Sequence, residues 1–211
     1  MSPPRRATVP GRKSPADVRV IGGIWRRQRL TVVDVTGLRP TPNRLRETLF
    51  NWLQFDIHEL RVLDLFAGSG ALGIEALSRG AGHATFVETH PAVRAGLNAN
   101  LQRLGGSARA TLVGQSATSW LAQTTQRFDL IFVDPPFTDN AWSAVLALLP
   151  RCMNVGARVY LERPAGYSAP WTEAWECLRE ARAGDVRGSL LQCSRAADIS
   201  PLRDAAERDQ E

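Results

Sequence analysis

Lysine is nearly absent. Of 26 basic side chains only Lys13 is a lysine, and the rest are arginine. A GC-rich genome would have that effect, and so would a surface that grips phosphate and stacks on bases, which guanidinium does better than ammonium. Cysteine is scarce too. Cys152, Cys177 and Cys193 are odd in number, widely spaced and form no CxxC pair. That excludes a disulfide scaffold and a zinc site, and the expectation is reduced, buried thiols. The three histidines, His58, His83 and His90, lack metal-ligand spacing, so no metal is expected. No apolar run reaches the roughly 18 residues of a membrane-spanning helix. The basic N-terminus, MSPPRRATVPGRKSP, has no apolar stretch behind it, as a secretory signal would, so the expected location is the cytoplasm.

What is present is ordinary globular material: 211 residues, 44% hydrophobic and 22% charged, enough for one domain and an appendage. The formal charge of +5 is unevenly spread. Residues 1–50 hold eleven basic groups against Asp17, Asp34 and Glu47, while residues 51–211 hold fifteen against eighteen. A segment of +8 therefore precedes a body of −3. This suits a protein that grips a polyanion at one end and does its chemistry elsewhere, although a solvated basic arm would carry the same charge.

Residues 1–18 are rich in Pro, Arg and Ser without periodicity and read as a disordered arm. Arg19 to Val35 has β-branched runs around a charged middle, which predicts a hairpin or small sheet. Thr41 can cap a helix with Pro42 at its first position, and Leu45, Leu49, Trp52 and Leu53 follow at helical spacing. After Leu60, short apolar strands alternate with helices: RVLDLF, ALGIEALSR, ATFVE, PAVRAGLNANLQRL, ATLV, SATSWLAQ, FDLIFV, WSAVLALLP and RVYLE. Such alternation predicts a doubly wound α/β fold, a parallel sheet covered on both faces. WECLREAR and GSLLQCS, with the turn signal Ala183-Gly184-Asp185 between them, predict an antiparallel hairpin at the sheet edge. The polar stretch from Ala196 reads as a frayed tail, and no internal repeat is evident.

Between the first strand and helix of this body lies Asp64-Leu65-Phe66-Ala67-Gly68-Ser69-Gly70-Ala71-Leu72-Gly73, which contains GxGxxG. Glycine allows the tight turn and the close approach of a ligand. Glu88 follows Gly68 by twenty residues at the end of the second strand, where a carboxylate can accept from both ribose hydroxyls of an adenosine-type cofactor. NAD and S-adenosylmethionine both satisfy this. Asp64 favours the second, because a carboxylate beside the glycines repels a pyrophosphate but attracts an ammonium and a sulfonium. Asp64 can equally serve by accepting from loop amides.

The fourth strand ends in Asp134-Pro135-Pro136-Phe137, whose loop opens into the same crevice at the strands' carboxyl ends. Two prolines remove two N–H donors and leave carbonyl acceptors. An exocyclic amine on a planar ring is a poor nucleophile. Holding its hydrogens with the Asp134 carboxylate and the Pro135 carbonyl would orient the nitrogen, and Phe137 could stack on the base.

Together these segments resemble amino-group methyltransferases with a (D/N/S)PP(F/Y) motif, and more closely the family that methylates N2 of a guanine in bacterial small-subunit ribosomal RNA. The resemblance spans Arg19 to about Glu162. It rests on Arg19-Val20-Ile21-Gly22-Gly23, on Gly37-Leu38-Arg39-Pro40-Thr41 running into Arg44-Leu45-Arg46-Glu47-Thr48-Leu49-Phe50-Asn51, on the Phe66–Gly73 loop, and on Phe132 to Phe137. It implies a Rossmann-like methyltransferase fold with a mostly parallel seven-stranded sheet, an antiparallel C-terminal edge hairpin and a small N-terminal extension. The implied organisation is a basic arm over 1–18, an RNA-engaging extension over 19–55, a methyltransferase domain over 56–195 and a tail over 196–211, in a monomer. S-adenosylmethionine would lie against Asp64, Phe66, Ala67, Gly68, Ser69 and Gly70 with Glu88 on its ribose. Asp134, Pro135, Pro136 and Phe137 would be catalytic. Arg19, Arg26, Arg27, Arg29, Arg39, Thr41 and Arg44 would engage small-subunit ribosomal RNA, free or in an assembly intermediate. Two positions depart from the family pattern. Gln115 and Ser116 stand where an Asn or Asp usually meets the adenine, and Arg27 stands where a glycine is more common. Other readings of the same residues are an adenine-N6 methyltransferase, an RNA-binding module without turnover, and an NAD-dependent oxidoreductase, for which no hydride-transfer constellation is evident.

Overall fold

Adjacent residues along the central strands bury against different helices, and that alternation sets the layers. The computed structural model describes residues 18–33, 43–136, 142–168 and 171–194. Its elements are β1 (Val18–Arg19), β2 (Arg29–Leu30), α1 (Asn43–Trp52), β3 (Arg61–Asp64), α2 (Ala71–Ser78), β4 (His83–Val87), α3 (Pro91–Leu104), β5 (Ala110–Val113), α4 (Ala117–Gln123), β6 (Phe128–Val133), α5 (Trp142–Leu148), β7 (Met153–Pro164), β8 (Trp175–Ala183) and β9 (Val186–Cys193). Among the described residues no helix is long and apolar enough to cross a membrane.

Seven strands form one sheet in the order β5-β4-β3-β6-β7-β9-β8. From β5 through β7 every pairing is parallel, and β9 then runs antiparallel to both β7 and β8. The strand order reverses between β3 and β6, so the crevice of this Rossmann-like sheet opens above those strands' carboxyl ends. Val62, Phe86, Leu130, Phe132 and Tyr160 bury on one face with Leu49 and Phe50 of α1, Leu72 and Ile74 of α2, and Leu97 of α3. Their neighbours Leu63, Ile131, Val133, Val159 and Leu161 bury on the other with Trp120 and Leu121 of α4 and Val145 of α5. Strands covered on both faces read as continuous apolar runs, which is why FDLIFV carries no polar alternation in its second half.

The N-terminal segment shares the first of these cores. Val18, Val20, Trp25 and Leu30 belong to it, so the hairpin of two-residue strands is a layer of the body. Its docking is polar as well as apolar. The fully buried Glu75 accepts from the backbone N–H of Ile21 (2.7 Å) and of Gly22 (2.8 Å) and from Arg79 Nε (2.7 Å). Ser78 Oγ accepts from Trp25 N–H and donates to the Gly22 carbonyl. Gly23 is a steric requirement, since a Cβ there would lie 1.8 Å from the Ser78 carbonyl oxygen, while one on Gly22 would displace the Arg79 guanidinium, 2.6 Å away. Asn100 then clamps Thr31 through both its amide oxygen and nitrogen, at 2.9 Å each.

Arg27 occupies the position where a glycine is more common, and it adopts the left-handed conformation with φ +68. Its N–H donates to Val20 O (2.8 Å), which holds the turn against a penalty of about 1–2 kcal/mol. One cysteine corrects the expectation of buried thiols. Cys152 and Cys193 are buried, but Cys177 is exposed, because it lies on the edge strand β8 at a register shift.

Candidate active site

Four parallel strands, β3 to β6, deliver the crevice residues. After Asp64, which ends β3, the chain runs beside both neighbouring strands: Leu65 N–H donates to Phe132 O (3.1 Å) and Ala67 N–H to Val87 O (3.0 Å). Gly68 and Gly70 then take φ +51 and +77, a left-handed turn that glycine tolerates without strain. Gly70 caps α2. A Cβ there would lie 2.3 Å from Leu97 Cδ1, and one on Gly73 would lie 2.3 Å from Phe86 Cε1. Of the three glycines in the motif, the last thus serves helix-on-strand packing.

Asp64 is only 2% exposed, and its Oδ2 accepts from Gly73 N–H at 2.9 Å. It ties the strand end to the first turn of α2. Burial pushes its carboxyl up to about 7, the Gly73 hydrogen bond opposes this, and the charges of Asp134 and Glu88 add to it. Glu88, just past β4, is half-buried. Its Oε2 accepts from Gly68 N–H (3.0 Å) and its Oε1 from His90 N–H (2.7 Å), which fixes the carboxylate at the crevice with lone pairs to spare. Phe66 and Ser69 are half-buried, whereas Ala67 is buried.

Beyond β5 the chain passes Glu88, whose N–H donates to Val113 O. Gln115 and Ser116 follow, both exposed. Ser116 caps α4, accepting from Ser119 N–H at 3.2 Å and donating to Ser119 Oγ, so its hydroxyl is already used locally. Gln115 is the one whose side chain is not engaged in capping.

Asp134, Pro135 and Pro136 stand at the end of β6, half-buried, buried and exposed in that order. Phe137, Arg39 and Thr41 lie outside the described residues. Next to Asp134 is a group that sequence reasoning missed: Glu162 on β7, 1% exposed and accepting from the Tyr160 hydroxyl at 2.8 Å. In the sequence it is one of several polar residues of β7, with Asn154, Arg158 and Arg163, and the pairing of β6 with β7 brings it beside Asp134. Burial and the charge of Asp134 hold its carboxyl well above the ordinary range. Asp64, Glu88 and Asp134 lie close enough for their charges to act on one another, an acidic cluster that favours a cation.

Among the sequence-predicted RNA residues, Arg19, Arg26, Arg27, Arg29 and Arg44 are exposed. The turn carrying Arg26 and Arg27 docks on Ser78, at the far end of α2 from the glycine loop. Eight residues of helix separate the two, about 12 Å. The chain then ascends α3 from Thr31 beside Asn100 to Val33 beside Gly96. Arg46, also missed, is buried and donates to the Arg19 carbonyl, where it ties α1 to β1.

The family model described as Conserved hypothetical protein 95 matches residues 18–192. Ribosomal RNA small subunit methyltransferase D of Haemophilus influenzae is 42% identical over 183 residues, covering 83% of this chain and 94% of that protein. The Escherichia coli protein of the same name is 42% identical over 197 residues, covering 87% and 93%. The chain belongs to the ribosomal RNA small subunit methyltransferase D family. The solved structure of yhhF from Escherichia coli superposes with a TM-score of 0.75 at 39% identity, covering 84% of this chain and 98% of that one. The name shared by these relatives makes the activity of the family methyl transfer to ribosomal RNA.

Proposed function

We propose that the chain transfers the methyl group of S-adenosylmethionine to the exocyclic N2 of a guanine in small-subunit ribosomal RNA. The observation that carries this reading is the Asp134-Pro135 turn at the end of β6, set beside the carboxylates of Glu88 and Asp64. The residues present fit the cofactor. Glu88 is oriented by Gly68 and His90 to accept from ribose hydroxyls, the backbone of Phe66 to Gly70 forms the cradle, and Gln115 can reach an adenine edge. When bound, the cofactor supplies an electrophilic methyl on a sulfonium.

The protein's part is placement. The Asp134 carboxylate and the Pro135 carbonyl accept the two amine hydrogens, which aligns the nitrogen lone pair and draws it out of the ring. The methylated ammonium is acidic enough to lose its proton without a strong base. A stacked guanine cannot reach this turn, so the base is flipped or presented from a loop. The arginines of the N-terminal segment sit one helix length away, suited to the phosphate backbone of RNA flanking the target.

Labelled donor, naked small-subunit RNA and mass spectrometry of the nucleosides test the reading. N2-methylguanosine is expected. N6-methyladenosine would move the enzyme to adenine chemistry, which the same motif permits, and binding without turnover would leave only an RNA-binding module.

Asp64 gives the site a pH dependence. The unfolded chain ionises this group near 3.8 and the folded chain near 7. Its contribution to stability is therefore full below about pH 4 and is lost as pH rises to 7. A cationic ligand favours the ionised form, so binding releases a proton and cofactor affinity should rise between pH 6 and 8. Calorimetry in two buffers of different ionisation enthalpy reads this directly. Asp64→Asn should flatten the profile, and a wild-type affinity independent of pH would remove Asp64 from cofactor attraction.

A further inference from the structure

Strands β6 and β7 pair in parallel with Phe132 opposite Tyr160 and Val133 opposite Leu161. The rings of Phe132 and Tyr160 meet edge to face with centroids 6.4 Å apart, on the face that carries α1 and α2. Continuing the register by one residue sets Asp134 opposite Glu162, and alternation puts both on that same face.

Glu162 is held on every side. Its Oε1 accepts from the Tyr160 hydroxyl at 2.8 Å, and its backbone carbonyl accepts from the Trp142 indole at 2.8 Å. Across β9 its partner is Gly188, where a Cβ would lie 2.4 Å from the Tyr160 hydroxyl oxygen. The space over that glycine is taken by the tyrosine. Among the described residues, the groups acting on the Glu162 carboxyl are Asp134 from β6 and Tyr160 from its own strand, with Gly188 and no cation from β9. A carboxyl that is buried beside another carboxylate, without a compensating cation, keeps its proton. The Tyr160 donor occupies one oxygen, which leaves the other to carry that proton.

We propose that Glu162, fixed by Tyr160, is a positioning residue for Asp134: a neutral carboxyl whose O–H is offered to the Asp134 carboxylate, keeping it ionised and aimed into the crevice. The assignment rests on the methyl-transfer reading of Asp134. It accounts for two buried polar side chains beside an apolar core, which cost stability if they did nothing.

The test uses the full chain with Glu162→Gln, Glu162→Ala and Tyr160→Phe, assayed for methylation of small-subunit RNA from pH 6 to 10. Glu162→Gln keeps a donor without a charge and should retain kcat within about fivefold. Glu162→Ala should lose about 10–100-fold in kcat with KM for the donor little changed, and Tyr160→Phe should fall between them. Wild-type kcat should decline on the alkaline side as Glu162 ionises, and that limb should vanish in Glu162→Gln. A glutamine variant as slow as the alanine variant, or an unchanged alkaline limb, overturns the proposal.

Urea denaturation from pH 6 to 9 provides an arm independent of the RNA. The unfolded carboxyl ionises in its ordinary range and the folded one well above it, so wild type loses stability as pH rises. Glu162→Gln should flatten that loss, and Asp134→Asn should reduce it by removing the neighbouring charge. Parallel curves for all three proteins would overturn the neutral carboxyl. If wild type methylates no guanine, the functional reading fails, while this arm still decides the state of the pair.

Discussion

Asp134→Ala is expected to lower kcat for methyl transfer by about 10²–10³-fold or more, the usual effect of removing a group that acts on the reacting atoms. Cofactor affinity should stay within about fivefold, because Glu88 and the glycine cradle are separate from the β6 turn. The alanine variant leaves Pro135 to hold one amine hydrogen and nothing to hold the other, so the nitrogen lone pair stays conjugated with the ring. Asp134→Asn should be less severe in affinity for the base yet nearly as slow, since its carboxamide offers an acceptor of lower charge. Single-turnover methylation with labelled donor, alongside calorimetry of donor binding, separates the two effects. A wild-type rate in the alanine variant would remove Asp134 from the chemistry.

The largest effect on stability is expected at Glu75. Its two oxygens accept from Ile21 and Gly22 N–H and from Arg79 Nε, and it lies within the field of the buried Arg46. Glu75→Ala removes one partner of a buried charge cluster and strands two backbone donors. A loss of about 3–5 kcal/mol follows. Against a total stability on the order of 5–15 kcal/mol, that is enough to leave the chain partly unfolded when warm. Glu75→Gln should lose less, keeping an acceptor for one N–H but no charge for Arg79. Urea midpoints measure the loss, and faster proteolysis within residues 18–33 should accompany it. A shift under about 1 kcal/mol would mean that the apolar contacts of Val18, Val20 and Trp25 alone hold the segment.

The same glutamate explains a segment that carried the family resemblance in the sequence. Arg19-Val20-Ile21-Gly22-Gly23 is a docking device, with the amides of Ile21 and Gly22 turned to a carboxylate and Gly23 stripped of a side chain so that the turn can close on Ser78. The contact spans more than fifty residues, and no local pattern in either segment announces it.

Legibility followed range. Helices α3 and α4 and strands β5 and β6 begin and end where their sequence patterns do, because Pro91, Ser116 and Gly105 act on their own neighbours. Strand β7 extends beyond the RVYLE run at both ends, because Met153 pairs with Phe128 of β6 and pairing with β9 carries it as far as Pro164. The places of Asp64, Glu88 and Asp134 at strand ends were legible because each ends an apolar run, and strand ends in a parallel sheet point to one crevice.

The sequence by itself determined the alternating parallel architecture, the glycine turn and the three carboxylates at strand ends, all of which rest on periodicity and local backbone chemistry. Only the tertiary structure decided which of those carboxylates are shared with backbone donors, that Glu162 lies on the strand paired with that of Asp134, and that residues 18–33 pack into the body. Those facts depend on strand register and on buried polar contacts between distant segments, and burial is what gives such contacts their strength. The scarcity of lysine acquires a sharper meaning in that light. Arg46 and Arg79 are guanidinium groups used inside the protein, one donating to the Arg19 carbonyl and the other paired with Glu75 and set over the Phe50 ring, so part of the arginine excess is structural cement rather than surface charge.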